Sequence, residues 1–175
     1  MTATPETRCT AFQRHTLIAQ GPLAQVAPLA LAAGDGVLVF DDATGRIIDL
    51  DPRDWTGAAE PPKRRGRPKL GVIPREVTLL QRHWDWLAQQ PGGASAALRR
   101  LVDEARKADG GRTAQRAARE AAYRLIHALA GDLPGYEDAT RALFAGDLEG
   151  FAARMAGWPE GLRAHAFNMA QGDLE

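Results

Sequence analysis

The stretch that decides the fold is Val37-Leu38-Val39-Phe40, which is followed by Asp41-Asp42-Ala43-Thr44-Gly45. Four consecutive apolar residues predict a short strand in the centre of a sheet, because a central strand is covered on both faces. The polar run after it ends in glycine, which is typical of a hairpin loop. Residues 48–51 then alternate apolar and acidic side chains, which predicts a further strand with one wet face.

The residues before this strand predict the rest of a compact ββαββ unit. Residues 8–12 and 16–19 have the pattern of two short strands joined by a tight turn at Arg14-His15. A helix is predicted from Pro22 to about residue 32. Its apolar residues recur at helical spacing: Leu23, Val26, Leu29 and Ala30. Pro28 lies inside that pattern, so we expect the helix to be kinked or broken there.

The chain beyond residue 57 divides into three regions. Residues 58–72 form a linker, because they hold Pro61-Pro62, a run of cations and few apolar side chains. Residues 73–111 predict a strand-helix-helix unit, and residues 112–175 predict a C-terminal helical bundle. Helices of the bundle are expected at residues 113–130, 136–145, 148–156 and 159–170. Together with the unit at residues 1–57, these regions predict an α+β protein.

The strand-helix-helix unit has clear internal boundaries. Residues 75–79 predict the strand, and residues 81–90 predict the first helix. Ser95 is the expected N-cap of a second helix that runs from about residue 96 to 107. We expect this helix to bury one face: Leu98, Leu101, Val102 and Ala105. Three tryptophans are also expected in the core: Trp84, Trp86 and Trp158.

Charge is unevenly distributed along a chain whose net charge is zero. Residues 1–62 hold four Lys/Arg and eight Asp/Glu, residues 63–124 hold fifteen and six, and residues 125–175 hold three and eight. The net charges of the three parts are therefore −4, +9 and −5. This division is typical of a protein whose middle meets a polyanion, or of a fold in which the three parts neutralise one another.

The composition favours a soluble protein of a reducing compartment. Cys9 is the single cysteine, so no intramolecular disulfide can form. The first twenty residues contain several charges and no long apolar run, which argues against a secretory signal. No segment approaches the roughly 20 apolar residues that a membrane span needs. We therefore expect a cytoplasmic protein.

The basic middle part begins with Lys63-Arg64-Arg65-Gly66-Arg67-Pro68-Lys69. The core of this run, Arg65-Gly66-Arg67-Pro68, resembles an AT-hook, a short motif that binds the minor groove of DNA. Its glycine lets the backbone lie on the groove floor, and its proline keeps the chain extended while the two core arginines lie along the groove. The outer cations would meet phosphates. The alternative is a solvated basic linker that touches the acidic flanks.

Residues 74–107 resemble a ribbon-helix-helix unit, in which two chains pair their strands into a ribbon that enters the major groove. The resemblance implies a homodimer in which Thr78 contacts bases and Ser95 lies near a phosphate at the start of the second helix. A helix-turn-helix that uses Arg99 and Arg100 is a further interpretation. Glu76 lies on the same strand face as Thr78 and would repel phosphate. The alternative is therefore a strand and helical hairpin that only completes a core and does not contact DNA.

Taken as a whole, the chain resembles a family of uncharacterised bacterial proteins known only as a domain of unknown function. The matching stretches are residues 38–46, 65–72, 75–80, 83–87 and 92–95. The resemblance extends over nearly the whole length and implies no activity.

Side chains that could carry catalysis are scattered. Four aspartates surround one hairpin without the spacing of a calcium loop: Asp41, Asp42, Asp49 and Asp51. The four histidines stand far apart, and no phosphate-binding glycine loop or nucleophile elbow is present. Cys9 is expected to be a small core residue. We therefore expect no enzymatic activity and no cofactor or metal.

Two functions follow from the sequence. The first is a DNA-binding protein, regulatory or nucleoid-associated, whose AT-hook-like run holds the minor groove of an A·T-rich duplex and whose chains form a homodimer. The second is a non-catalytic protein-interaction or adaptor module whose basic linker docks on its own acidic surfaces. The longest predicted helix carries a stripe of three arginines: Arg112, Arg116 and Arg119. The stripe could contact a row of phosphates, but such a stripe is more often the solvent-exposed side of an amphipathic helix.

Overall fold

The computed structural model describes residues 3–55 and 75–172. Contacts divide the chain into two compact units, one made of Met1–Ala58 with Arg112–Glu175 and the other of Ala59–Gly111. The described residues form a four-stranded antiparallel sheet, a short 3-10 helix and seven α-helices, which confirms the predicted α+β class. The helices are α1 (Leu23–Ala32), α2 (Gln81–Ala88), α3 (Gly93–Asp109), α4 (Arg112–Leu129), α5 (Tyr136–Ala145), α6 (Leu148–Arg154) and α7 (Glu160–Gln171).

The sheet of the first unit has its strands in the order β2-β1-β3-β4. They are β1 (Arg8–Gln13), β2 (Thr16–Pro22), β3 (Val37–Asp41) and β4 (Ile47–Ile48). The predicted turn between the first two strands is confirmed, with Arg14 in the left-handed region at φ 55°. β3 lies inside the sheet as predicted, because it pairs with β1 and β4. β4 is shorter than predicted, and Leu50 lies beyond it while still packing on the core.

Helix α1 runs through Pro28 from Leu23 to Ala32, so the helix is not broken at this proline. A proline inside a helix removes one backbone hydrogen bond. Burial of the turns on either side offsets this loss, since four side chains of α1 pack in the core: Leu23, Val26, Ala27 and Ala30. Leu29 was predicted on this face but is 54% exposed. It lies about 100° around the helix from its neighbour Ala30.

The sheet is covered on both faces, which explains the apolar run at β3. Side chains along a strand point alternately to its two faces. Cys9, Ala11 and Val39 pack in the core that contains α1, whereas Phe12 and Phe40 pack among α4, α5, α6 and α7. All five side chains are buried, and Cys9 is thus a core residue as predicted. The sheet and the C-terminal helices therefore share one core.

The four predicted C-terminal helices are confirmed as α4, α5, α6 and α7. Gly146 ends α5 and Gly172 ends α7, both in the left-handed conformation that glycine adopts without strain. Trp158 is buried as predicted, and its Nε1 donates a hydrogen bond to the carbonyl oxygen of Pro134 at 2.9 Å. This bond joins the α6–α7 connection to the α4–α5 connection.

The described part of the second unit is a hairpin of α2 and α3. The strand predicted at residues 75–79 is not formed, because these residues have no ladder partner among the described residues. A strand needs a neighbouring strand for its backbone hydrogen bonds. The predicted N-cap at Ser95 is also wrong, since α3 begins at Gly93 behind an N-cap at Gly92. The predicted stop is confirmed, because Gly110 caps the C-terminal end of α3.

Burial in this hairpin differs from the prediction. Among the described residues of the second unit, Leu87 and Ala97 are the only buried apolar residues. Five residues that were predicted to be buried are exposed: Trp84, Trp86, Leu101, Val102 and Ala105. Two helices form a single layer, and a second layer is needed to cover an apolar helix face.

Candidate functional sites

The residues predicted to contact DNA fall into two groups. The AT-hook-like run lies outside the described residues: Lys63, Arg64, Arg65, Gly66, Arg67, Pro68 and Lys69. Thr78 lies in the segment before α2 and Ser95 in the first turn of α3, and both are exposed. Arg99 lies one turn further along α3, where its Nε donates to the carbonyl oxygen of Ser95 at 3.0 Å. The helix therefore brings Ser95 and Arg99 together.

The cations of the α2–α3 hairpin are exposed but balanced by acids. Residues 75–111 contain six Lys/Arg and five Asp/Glu, a net charge of +1. The cations are Arg75, Arg82, Arg99, Arg100, Arg106 and Lys107, all exposed. The basic run at residues 63–69 contributes +5, and residues 112–124 contribute +3. The excess positive charge of the middle part therefore comes mainly from the run and from α4.

The arginine stripe on α4 takes part in contacts within the first unit. The Nε atom of Arg116 lies 3.0 Å from a carboxylate oxygen of Glu120. Arg124, two turns further along the same helix, donates to the carbonyl oxygen of Thr44 at 2.7 Å. The guanidinium of Arg119 lies against Gly146, at the C-terminal end of α5, where the helix dipole favours a cation. Arg116 remains 83% exposed, as expected for the solvated side of α4.

A buried polar cluster lies between the sheet and α7. Thr10 on β1, Asp42 after β3 and His165 on α7 are 0%, 4% and 3% exposed. The Thr10 hydroxyl donates to Asp42 Oδ1 at 2.8 Å, and His165 Nε2 lies 3.5 Å from the same oxygen. The ring of Phe12 packs against His165 with 5.7 Å between centroids. We call Thr10, Asp42 and His165 the buried cluster.

Burial controls protonation in the buried cluster. It lowers the pKa of His165 to about 4, so the imidazole is neutral at pH 7. It raises the pKa of the Asp42 carboxyl, against the opposing hydrogen bond from Thr10. Desolvation also raises the pKa of the Cys9 thiol to about 12, which makes the thiol unreactive. These groups are closed to solvent, so we assign them to the core rather than to a catalytic site.

Four aromatic rings lie together on α4 and α5. The ring of Tyr123 is 5.5 Å from that of His127 and 5.3 Å from that of Phe144. His127 Nδ1 and the Tyr136 hydroxyl oxygen are 2.9 Å apart. Phe144 is 50% exposed. We call these four side chains the aromatic row. The i, i+4 spacing of Tyr123 and His127 places both rings on one side of α4, but no sequence pattern shows that they meet rings of α5.

A surface pocket of about 340 Å³ opens beside the aromatic row. It is lined by Gly131, Leu133, Gly135, Tyr136, Glu137 and Asp138. Asp138 pairs with Arg154 at 3.1 Å, whereas Glu137 has no ion pair or hydrogen bond from its side chain within the described chain. Burial raises the pKa of the Tyr136 hydroxyl, so it stays protonated at pH 7. The row and the adjacent pocket together combine aromatic surface, hydrogen-bonding groups and the Glu137 carboxylate.

A family model described as an uncharacterised protein conserved in bacteria (DUF2239) matches residues 8–170. The chain belongs to this family. The match begins at the first residue of β1 and ends within α7, so it includes the sheet and reaches every helix described above. No curated protein and no solved structure matches the chain. In the described part of this DUF2239 protein, no helix is long and apolar enough to cross a membrane.

Two of the aspartates near the β3–β4 hairpin of this DUF2239 protein, Asp41 and Asp51, build turns. Asp41 Oδ1 accepts hydrogen bonds from the backbone N–H groups of Ala43 and Thr44, each at 2.9 Å. Asp51 accepts from the N–H of Arg53 at 2.9 Å and so begins the short 3-10 helix. Within residues 3–55 and 75–172, no group of three or more His, Cys, Asp or Glu side chains is placed to hold a metal ion.

Proposed function

We propose that this DUF2239 protein is a cytoplasmic DNA-binding protein, regulatory or nucleoid-associated, that places residues 63–69 in the minor groove of A·T-rich DNA. The observation that carries the proposal is the sequence of this run, which has five cations around one glycine and one proline. The charge distribution supports it, because these seven residues contribute +5 to the +9 of residues 63–124.

Each part of the run has a role that the groove requires. A·T pairs present only acceptors in the minor groove and lack the amine of G·C, so the backbone at Gly66 can approach the floor. A narrow A·T groove has an enhanced negative potential that attracts Arg65 and Arg67. Pro68 disfavours the helical conformation at Arg67 and so favours an extended chain there. The remaining cations neutralise phosphates and release counterions, so binding weakens as salt rises.

In this proposal the α2–α3 hairpin supplies supporting contacts. Ser95 and Arg99 are adjacent and exposed at the start of α3, where a phosphate would also meet the backbone N–H groups of the first turn. Thr78 is exposed and can accept or donate a hydrogen bond at DNA. Since the net charge of residues 75–111 is only +1, these contacts add to the basic run and do not replace it.

Replacing both core arginines, Arg65→Ala with Arg67→Ala, is expected to weaken binding to an A·T-rich duplex by about 30-fold or more, because each arginine contact contributes about 1–3 kcal/mol. The salt dependence of the affinity is expected to become shallower by about two counterions. Fluorescence anisotropy with A·T-rich and G·C-rich duplexes of equal length, at several salt concentrations, measures both effects.

The matched control removes two exposed cations from α3 by Arg106→Ala with Lys107→Ala. It lowers the net charge by the same amount but leaves the AT-hook-like run intact. We expect a small loss of affinity that is equal for both duplexes. If the two double variants behave alike, net charge alone governs binding and the specific role of the run is wrong.

A second candidate function, a non-catalytic protein-interaction or adaptor module, is favoured by the aromatic row. Aromatic side chains are enriched at protein interfaces. Those that carry a polar group suit positions that are buried at one end and solvent-exposed at the other. Phe144 is half exposed beside Tyr123, and the Glu137 carboxylate lies next to Tyr136 in the pocket lining. Residues 125–175 have a net charge of −5, so a basic partner segment would be complementary.

For the adaptor function, a photo-crosslinking residue at position 144 is expected to form one discrete adduct with another protein in bacterial cells. Tyr123→Ala is expected to reduce that adduct by about 10-fold or more, because interface energy concentrates on a few aromatic residues. The same crosslinker at Glu149, an exposed position on α6, is the control. No adduct at position 144, or an equal adduct at Glu149, would count against this function.

A further inference from the structure

The pocket beside the aromatic row is built into the fold by the α4–α5 connection. The N–H of Leu133 donates to the carbonyl oxygen of Ala130 at 3.0 Å, and the N–H of Tyr136 donates to that of Leu133 at 3.3 Å. The Leu133 side chain packs on the core, and the Trp158 indole holds the carbonyl of Pro134. The walls of the pocket are therefore set by the fold before any ligand binds, as is usual for binding pockets.

The lining of this pocket carries negative charge. Glu137 and Asp138 line it, and no Lys, Arg or His is among the described residues that do. Asp138 pairs with Arg154 at 3.1 Å and with Arg141 at 3.7 Å, so its charge is already compensated. The Glu137 side chain has no such pair within the described chain. The lining therefore favours a cationic ligand and disfavours a phosphate or a carboxylate.

The size and surroundings of the pocket also suit a cation. Its volume of about 340 Å³ lies at the small end of the range for ligand pockets, roughly 300–1,000 Å³, which suits a single side chain. Gly131 lines it just beyond the C-terminal end of α4, where the helix dipole is negative. The ring of Tyr136 is a further part of the lining, and the face of an aromatic ring attracts a cation. The positive N-terminal end of α5 is offset by two carboxylates in its first turn, Glu137 and Asp138.

The aromatic row extends from the pocket as a second contact surface. Tyr136 belongs to both, and the row continues through His127 and Tyr123 to the half-exposed Phe144. The distances between successive ring centroids are 6.4, 5.5 and 5.3 Å, so the row is at most about 17 Å long. An extended chain rises about 3.3 Å per residue, and side chains four residues apart point to the same side. One extended segment of about five residues can therefore reach both the pocket and the far end of the row.

We propose that the aromatic row and the pocket bind an extended basic segment of a partner protein, with an arginine side chain in the pocket and an apolar side chain four residues away against Tyr123 and Phe144. This inference rests on the second candidate function, the adaptor module, and names the chemistry of its partner. The guanidinium pairs with Glu137 and stacks on Tyr136. Arginine suits both contacts better than lysine, because its charged group is planar and more weakly hydrated.

The charges argue against a nucleic acid as the occupant of this surface. Bases can stack on exposed aromatic rings. The phosphates, however, would meet the unpaired Glu137 carboxylate and the net charge of −5 on residues 125–175. A basic peptide meets the same rings and carries the complementary charge.

NMR titration of the full chain with short blocked peptides tests the proposal. The first peptide has one leucine, three serines and one arginine, and the others have lysine or glutamine in place of the arginine. We expect the arginine peptide to bind about 5-fold more tightly than the glutamine peptide, because only the arginine can pair with Glu137. The lysine peptide is expected to lie between the two. The amide signals of Gly131 and Gly135, which line the pocket, are expected to shift.

Two variants separate the pocket from the row. Glu137→Gln is expected to reduce the preference for arginine over glutamine to about 2-fold or less and to leave binding of the glutamine peptide unchanged. Phe144→Ala is expected to weaken both peptides alike, by about 3-fold or more, and to keep the preference, because it removes only a contact with the leucine.

Glu160→Gln is the matched control for Glu137→Gln. Glu160 is also an exposed acidic residue in the first turn of a helix, α7, but it does not line the pocket. The control removes the same charge and the same favourable interaction with a helix dipole. It is expected to bind all three peptides like the wild-type chain.

Four results would overturn the inference. They are the absence of a saturable shift at peptide concentrations up to about 5 mM, equal affinity for the arginine and glutamine peptides, a preference that survives Glu137→Gln, and tighter binding of a single-stranded DNA pentanucleotide at the same signals. The adaptor function fails separately. A crosslinked adduct at position 144 that is lost in Tyr123→Ala but unchanged in Glu137→Gln removes only the arginine assignment. Peptide binding that depends on Glu137 without any adduct in cells removes only the adaptor function.

Discussion

Gly45→Ala is expected to lower the free energy of unfolding by about 2–5 kcal/mol. Gly45 closes the β3–β4 hairpin with φ at +65°, a left-handed conformation that costs other residues about 1–2 kcal/mol. A Cβ at this position would also overlap the backbone carbonyl of Ala121 on α4. Because Ala121 is buried in the helix, relief of the overlap requires the hairpin or the helix to shift. Urea unfolding followed by circular dichroism measures the loss.

Gly36→Ala is the matched control for the close approach at Gly45. Gly36 also has a positive φ, +77°, and belongs to the same unit, but a Cβ there would meet nothing within 4 Å. The free energy of unfolding of Gly36→Ala should therefore fall only by the cost of the left-handed conformation, about 1–2 kcal/mol. Equal losses in the two variants would contradict the close packing of the hairpin against α4.

Acidification from pH 7 to pH 4.5 is expected to remove about 2–3 kcal/mol of stability through His165. Burial lowers the pKa of His165 in the folded protein to about 4 from the ordinary value of 6.5. Below pH 6.5 the unfolded chain therefore binds a proton that the folded protein excludes until the pH approaches 4. The stability is fully present above pH 6.5 and falls as the pH decreases. Urea unfolding at a series of pH values measures this slope.

His165→Gln is expected to reduce the dependence of the unfolding free energy on pH between pH 6.5 and pH 4.5. This holds whatever the stability of the variant at pH 7. The Asp42 carboxyl acts in the opposite direction, because its raised pKa lets the folded protein bind a proton more readily than the unfolded chain. If stability instead rises on acidification and His165→Gln abolishes the rise, the cluster holds a charged His165–Asp42 pair and our assignment is wrong.

The sheet could be predicted from the sequence because its signals are local. The apolar run at β3 and the turn at Arg14 are properties of a few consecutive residues. The buried cluster could not be predicted, because Asp42 and His165 are far apart in the chain and meet only when α7 packs on the sheet. Helix spacing likewise predicted the C-terminal helices but gave no sign that rings on α4 and α5 would form one row.

The α2–α3 hairpin shows a different limit of prediction. The periodicity of α3 correctly identified an apolar face, and the helix itself is confirmed. The prediction that Leu101 and Val102 are buried was wrong, because periodicity shows which side of a helix is apolar but not whether the same chain covers it. The strand predicted at residues 75–79 failed for a similar reason, since its pairing needs a neighbour that the described chain does not offer.

The most direct test of the DNA-binding claim is the ratio of the dissociation constants of the wild-type chain for G·C-rich and A·T-rich duplexes of equal length at one salt concentration. Residues 63–69 are expected to give the A·T-rich duplex an advantage of about 10-fold or more. That advantage should disappear in Arg65→Ala with Arg67→Ala and persist in Arg106→Ala with Lys107→Ala. Equal dissociation constants for the two duplexes, or an advantage that survives loss of both core arginines, would contradict the account.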